Sequence, residues 1–118
     1  MEPPTPEQLA RFEREVGRRL PPSMHALALG AVDDLRAFFP RGVFALDRAS
    51  YRAARRDGVP KKLLPFLVDA QRAHRDYYCF DLATPAPEHA VVVFCLHAVV
   101  ESWPDLAAWR AWVSRSTG

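Results

Sequence analysis

The chain has 118 residues, 49% of them apolar and 25% charged, with a formal net charge of +2. That length suits one hydrophobic core rather than two, and the composition excludes wholesale disorder. Met1–Glu2–Pro3–Pro4 carries no secretory signal, and the longest apolar run, Ala90–Leu96, is far short of a membrane span, so a soluble cytoplasmic protein is expected.

Thr5–Pro6–Glu7–Gln8 reads as a helix start, with Thr5 as N-cap, Pro6 at the first helical position and Gln8 closing a capping box. Leu9, Phe12 and Val16 then recur at helical spacing, and Gly17 marks the end. Leu20–Pro21–Pro22 interrupts the helix, and Ser23 is placed to cap a second one. That second helix, Met24 to about Val32, is apolar almost all round and is expected to be buried, with Asp33 and Asp34 at its end.

Phe38–Phe39 and Val43–Leu46 flank Arg41–Gly42 and suggest strand, turn, strand. Asp47 is placed to cap a basic surface helix over Arg48–Arg56 that Gly58 ends. Its apolar side is little more than Tyr51 and Ala54. Leu63–Asp69 reads as a strand that Pro65 pushes toward a sheet edge or a strand start, and an exposed edge near Leu64–Val68 would suit a partner or a second copy.

Two runs rich in aromatic and β-branched residues, Asp76–Leu82 and Ala90–His97, flank a link containing Pro85 and Pro87 and are expected to pair antiparallel. Each has one apolar and one mixed face, as expected when helices cover a single side of a sheet. Ser102–Trp103–Pro104–Asp105 resembles a capping box opening a terminal helix that docks by Leu106, Trp109, Trp112 and Val113, with Ser114–Gly118 as a frayed tail. The fold class is α+β: a single domain with a largely antiparallel sheet and N-terminal and C-terminal helices packed on it.

Charge is distributed unevenly along the chain. Arg36–Lys62 holds eight bases and two acids, whereas Leu63–Trp109 holds six acids and two bases. A basic helix surface and a more acidic sheet region follow. Arg48–Arg56 with Lys61 and Lys62 could meet phosphates, but the segment lacks interleaved aromatics beyond Tyr51.

No catalytic constellation is apparent: there is no nucleophile elbow, no glycine-rich phosphate loop and no Cys-x-x-Cys or His-Glu-x-x-His spacing. Cys95 and His97 fall on one strand face, where Cys79 of the neighbouring strand could join them around zinc; ordinary packing is the reading that the spacing favours. A disulfide between Cys79 and Cys95 is open, and two buried free thiols are expected.

The order of these signals resembles the SUKH superfamily, the Smi/Knr-like group of immunity proteins and cell-wall regulators. The match runs from about Pro6 to Val113: a helix ending in Gly17, Leu20–Pro21–Pro22, Gly42–Leu46, Leu64–Pro65–Phe66 leading to Tyr77–Tyr78–Cys79–Phe80–Asp81, then Val91–Phe94, His97 and an aromatic terminal helix. The resemblance implies a single SUKH-like domain over 1–118 with its core at about 6–113. It implies a non-enzymatic immunity protein that binds and neutralises a cognate bacterial toxin, a nuclease of a polymorphic or contact-dependent system. The alternative it implies is a general regulatory protein-interaction module. No cofactor, metal, direct nucleic-acid contact or membrane contact is expected, and the state is monomer or weak dimer. Against a basic nuclease, Asp69, Asp76, Asp81, Glu88 and Glu101 are the candidate partner contacts. Asp81 has a second reading, closing its strand by hydrogen bonds to the following loop.

Overall fold

Capping chemistry at Thr5 starts the fold. In the computed structural model, which describes residues 1–117, the Thr5 hydroxyl accepts from the Gln8 amide at 3.1 Å and α1 runs Pro6–Val16. Gly17 ends it at φ 67°, a conformation glycine adopts without a Cβ penalty. The Gln8 side chain does not fold back to close the box; its amide reaches the Leu46 carbonyl at 3.5 Å.

The apolar run after Pro22 makes a shorter helix than expected. α2 spans Pro22–Leu27, and the amides of Ala28, Leu29 and Gly30 bond three residues back, which tightens and ends it. A separate helix, α3, follows at Asp33–Phe38, so Asp33 and Asp34 open a helix instead of closing one. Their charges then sit at the favourable end of its dipole. Phe38 and Phe39, expected in a strand, end and follow α3. The chain turns there, the Gly42 amide bonding the Phe39 carbonyl at 2.9 Å, and β1 is only Gly42–Phe44. A Cβ at Gly42 would sit 2.6 Å from the Cβ of Phe39, which explains glycine at this bend. Asp47 caps α4, Arg48–Arg56, by accepting from the Ser50 amide at 2.7 Å.

The remaining strands are β2 (Leu63–Ala70), β3 (Arg75–Asp81), β4 (Ala90–Cys95) and β5 (Ala98–Trp103), in an antiparallel sheet ordered β1-β2-β3-β4-β5. Pro65 lies at an irregularity in the β2–β3 register, where its missing donor is tolerated. The edge expected near Leu64–Val68 is partly covered, because β1 pairs along Leu67–Asp69; the three-residue β1 and the longer β5 are the sheet's edges.

Two expectations about the sheet faces change. Tyr78 pairs with Leu67 and Val93, and Phe80 with Leu64 and Val91, so the apolar face of β3 continues into the face of β4 that carries Cys95. That face joins Leu9, Phe12, Met24, Leu35, Phe39 and Trp109 in the main core. The opposite face is also covered: Ala54 of α4 and Val59 pack with Leu63, Tyr77, Cys79, Val92 and Phe94. Helices and loops therefore protect both sides of the central strands.

The terminal helix α5, Leu106–Thr117, is capped by Asp105, whose Oδ1 accepts from the Ala108 amide at 2.8 Å. Ser102 instead belongs to β5, because the strand continues to Trp103 before the chain turns. Residues Ser114–Thr117 are helical where a frayed tail was expected; Gly118 lies outside the described residues. Trp109 is fully buried, with its ring centroid 5.3 Å from Phe66, 5.6 Å from Tyr78 and 6.0 Å from Phe39. Arg110 holds α5 to α3 through two 3.2 Å contacts with the Asp34 carboxylate and a bond to the Ala31 carbonyl.

Candidate partner-binding surface

Strand register brings three of the five candidate acids together. Asp69 pairs with Asp76 across β2 and β3, and the ladder that pairs Tyr77 with Phe94 sets Asp76 beside Cys95. Side-chain alternation puts Asp69, Asp76 and Cys95 on the Tyr78 face. Glu101, opposite Val93, points to that face from β5. The group lies at the sheet end that carries the Gln71–His74 and Leu96–His97 turns. Asp69 and Asp76 are half-buried and Glu101 is exposed.

The crowding is visible in the protonation energetics. Burial, then the charge of Asp76, pushes the Asp69 carboxyl above its ordinary value. Burial, then the charges of Asp76, Asp69 and Glu101, pushes the Tyr78 phenol well above its own, so it stays a neutral donor. The Asp76 carboxylate beside Cys95, with some burial, pushes that thiol up to about 11. This is an acidic patch with an aromatic floor: Tyr78 tilts against Trp103 at 6.3 Å, and Trp103 against the half-buried Trp112 at 5.0 Å.

Asp81 and Glu88 lie elsewhere and are engaged within the fold. Asp81 pairs with Ala90 at the other end of the sheet, and its Oδ1 accepts from the Ala83 amide at 3.0 Å. Glu88 accepts from the Ser23 amide at 2.9 Å and from the Ser23 hydroxyl at 2.5 Å. It therefore supplies from a distance the cap that Ser23 was expected to supply to its own helix.

The β4–β5 turn and the open edge are apolar, with Val99 paired to Phe94 on the opposite sheet face and Leu96 lining the cleft there. Leu96, Val99 and Val100 are 68%, 48% and 62% exposed along the open β5 edge. Leu96 and His97 form the two-residue turn between Cys95 and Ala98, both with positive φ (51° and 68°). Two-residue turns of this hand match the twist of the flanking strands but favour Asn and Gly. Leucine there is strained and holds its side chain in solvent.

The second sheet face is basic at its rim. A cleft of about 630 Å³ is lined by Arg56, Asp57, Arg72, Arg75 and His97, among others. The Tyr77 hydroxyl donates to Asp57 and, with Arg75, holds that carboxyl below its ordinary range; burial and Asp57 push the Tyr77 phenol up to about 12. Arg55 is engaged internally, donating to the Pro60 carbonyl at 2.9 Å and stacking over Tyr51 at 4.4 Å. Acids and bases thus collect on opposite sides of one sheet.

Cys79, Cys95 and His97 do not assemble. Both cysteines are free, but Cys79 faces α4 while Cys95 faces the acids, and burial holds the Cys79 thiol protonated. The positive-φ turn swings His97 toward Gly58, where its Nδ1 would lie 3.2 Å from an added Cβ. His74 is the histidine that approaches the acids, its Nε2 3.2 Å from Asp76 Oδ1. His74 and Asp76 are two residues apart, and strand register brings Cys95 and Asp69 to them.

Residues 3–112 match the family model described as SMI1 / KNR4 family (SUKH-1). No curated protein and no solved structure matches the chain.

Proposed function

The chain belongs to the SMI1 / KNR4 family (SUKH-1), and from that premise we propose that it is an immunity protein that binds and neutralises a cognate toxin. On this reading it acts in the cytoplasm, as a monomer or weak dimer, by occlusion and not by catalysis. The toxin is a nuclease. The observation that carries this reading is the convergence of Asp69, Asp76 and Glu101 on one sheet face.

An enzyme that grips nucleic acid presents cations to phosphates, and crowded carboxylates on a rigid sheet are the complement of such a surface. Charge complementarity speeds encounter and selects the partner. Asp81 and Glu88, engaged within the fold, would support this surface from a distance instead of meeting the partner.

Co-expression with the toxin encoded beside it should restore growth of a susceptible cell. The double variant Asp69→Lys, Glu101→Lys should lose rescue and bind at least about 30-fold more weakly, about 2 kcal/mol. Rescue that survives this double reversal removes the patch from the interface. A gene neighbourhood without toxin or secretion genes favours a regulatory interaction module working through the same surface.

A further inference from the structure

We propose that His74, Asp76 and Cys95 form a binding site for a borderline divalent metal ion, zinc being the expected natural occupant. One ligand atom from each residue lies within 4.8 Å of the other two. His74 and Asp76 stand two residues apart where the Gln71–His74 turn enters β3, and Cys95 is the last residue of β4. The approach of Cys95 to the other two is therefore set by the fold, through the β3–β4 register.

The second observation concerns Asp76. Its Oδ1 is shielded from solvent and accepts no hydrogen bond. His74 Nε2 stands 3.2 Å from that oxygen without hydrogen-bonding geometry. A buried carboxylate oxygen normally has a donor, and leaving one without is unfavourable. A cation between the imidazole nitrogen and the oxygen resolves both facts. Tetrahedral zinc, with ligands at about 2.0–2.3 Å, brings neighbouring ligand atoms to separations like this one.

The donor set selects the metal. Thiolate and imidazole disfavour calcium and magnesium, which take oxygen ligands, and suit zinc or cobalt. Asp76 and Cys95 are fixed by ladder pairing, whereas His74 lies on a turn closed by the Gln71 amide to its own carbonyl at 2.8 Å, so its ring is free to complete the geometry. On binding, the Cys95 thiol proton leaves to solvent as the sulfur–metal bond forms. Three protein ligands leave a fourth position open. This proposal does not rest on the toxin reading, since Asp69 and Glu101 lie outside the ligand set.

The test is titration of the metal-free full-length protein with Co²⁺, followed by Zn²⁺ displacement. One Co²⁺ per chain is expected, with an ultraviolet thiolate charge-transfer band that Zn²⁺ abolishes. Cys95→Ser should remove the band, while His74→Gln and Asp76→Asn should weaken Co²⁺ binding on the order of 10- to 100-fold or more. Cys79→Ala and His97→Asn should retain both. Zinc should also protect one thiol from alkylation, read by mass. Circular dichroism confirms the folding of each variant. The absence of a thiolate band in the parent protein, or its persistence in Cys95→Ser, overturns the assignment, as does unchanged affinity in both His74→Gln and Asp76→Asn.

Discussion

Glu88 caps a helix from 65 residues beyond Ser23, its carboxylate accepting from both the amide and the hydroxyl of that residue. The charge also sits at the positive end of α2. Glu88→Ala should therefore destabilise the protein by about 1–2 kcal/mol, the usual cost of losing a helix cap. Urea unfolding should show the loss, and affinity for the partner should be unchanged at concentrations where the variant is folded.

Asp34 gives the fold an acid-sensitive clasp. Burial alone would raise its carboxyl, but hydrogen bonds from Arg110 and Ser114, together with the Arg110 charge, hold it below the ordinary carboxylate value. A depressed folded-state value contributes stability that is present above the unfolded-state pKa, near 3.9, and is lost as pH falls through the folded one. Asp34→Asn should cost about 1–2 kcal/mol at neutral pH. The difference between parent and variant urea midpoints should shrink below about pH 4. A gap that stays constant to pH 2 contradicts this role.

Trp109 carries the largest packing contribution of α5. Trp109→Ala should cost about 3–5 kcal/mol. Its Nε1 is buried without a hydrogen-bond partner, so Trp109→Phe removes an uncompensated donor along with part of the ring and should be clearly milder. Leu29→Ser, at a site 80% exposed, should change stability by less than about 0.5 kcal/mol. Thermal melts of the three variants should fall in that order.

The β4–β5 turn stores strain that substitution can release. Replacing Leu96 with Asn and His97 with Gly puts residues that favour positive φ at both corners and should stabilise the fold by about 1–2 kcal/mol. A lower melting temperature would show that the Leu96 or His97 side chain contributes contacts that outweigh its backbone.

What was legible in the sequence was local chemistry. Thr5 and Asp47 cap their helices as their positions predict, because each bonds an amide three residues on. The aromatic face of α5 is likewise set by spacing. Ser23 misled because the oxygen that caps α2 arrives from a distant loop. Ser102 misled because strand pairing extends through Trp103, shifting the cap to Asp105. The Met24–Val32 run looked like one helix because apolar periodicity does not record where bonding tightens to three-residue spacing. The acidic patch was half legible. Composition marked the acids, but only register separates Asp69, Asp76 and Glu101 from Asp81 and Glu88. The set around Cys95 was hidden for the same reason: alternation along a strand suggested His97, and a positive-φ turn replaced it with His74.

The strand order of the sheet is the order of the chain, β1 to β5. Each ladder between β2 and β5 can therefore zip outward from its own short connection without first closing a long loop. The joining of α5 to α3, through contacts spanning 76 to 80 residues, and the Glu88 cap on Ser23 demand distant closure. Low separation between pairing partners favours rapid folding. The meander should form early and the α3–α5 clasp late, which leaves the helix carrying Trp109 as the last part to lock and the first to let go.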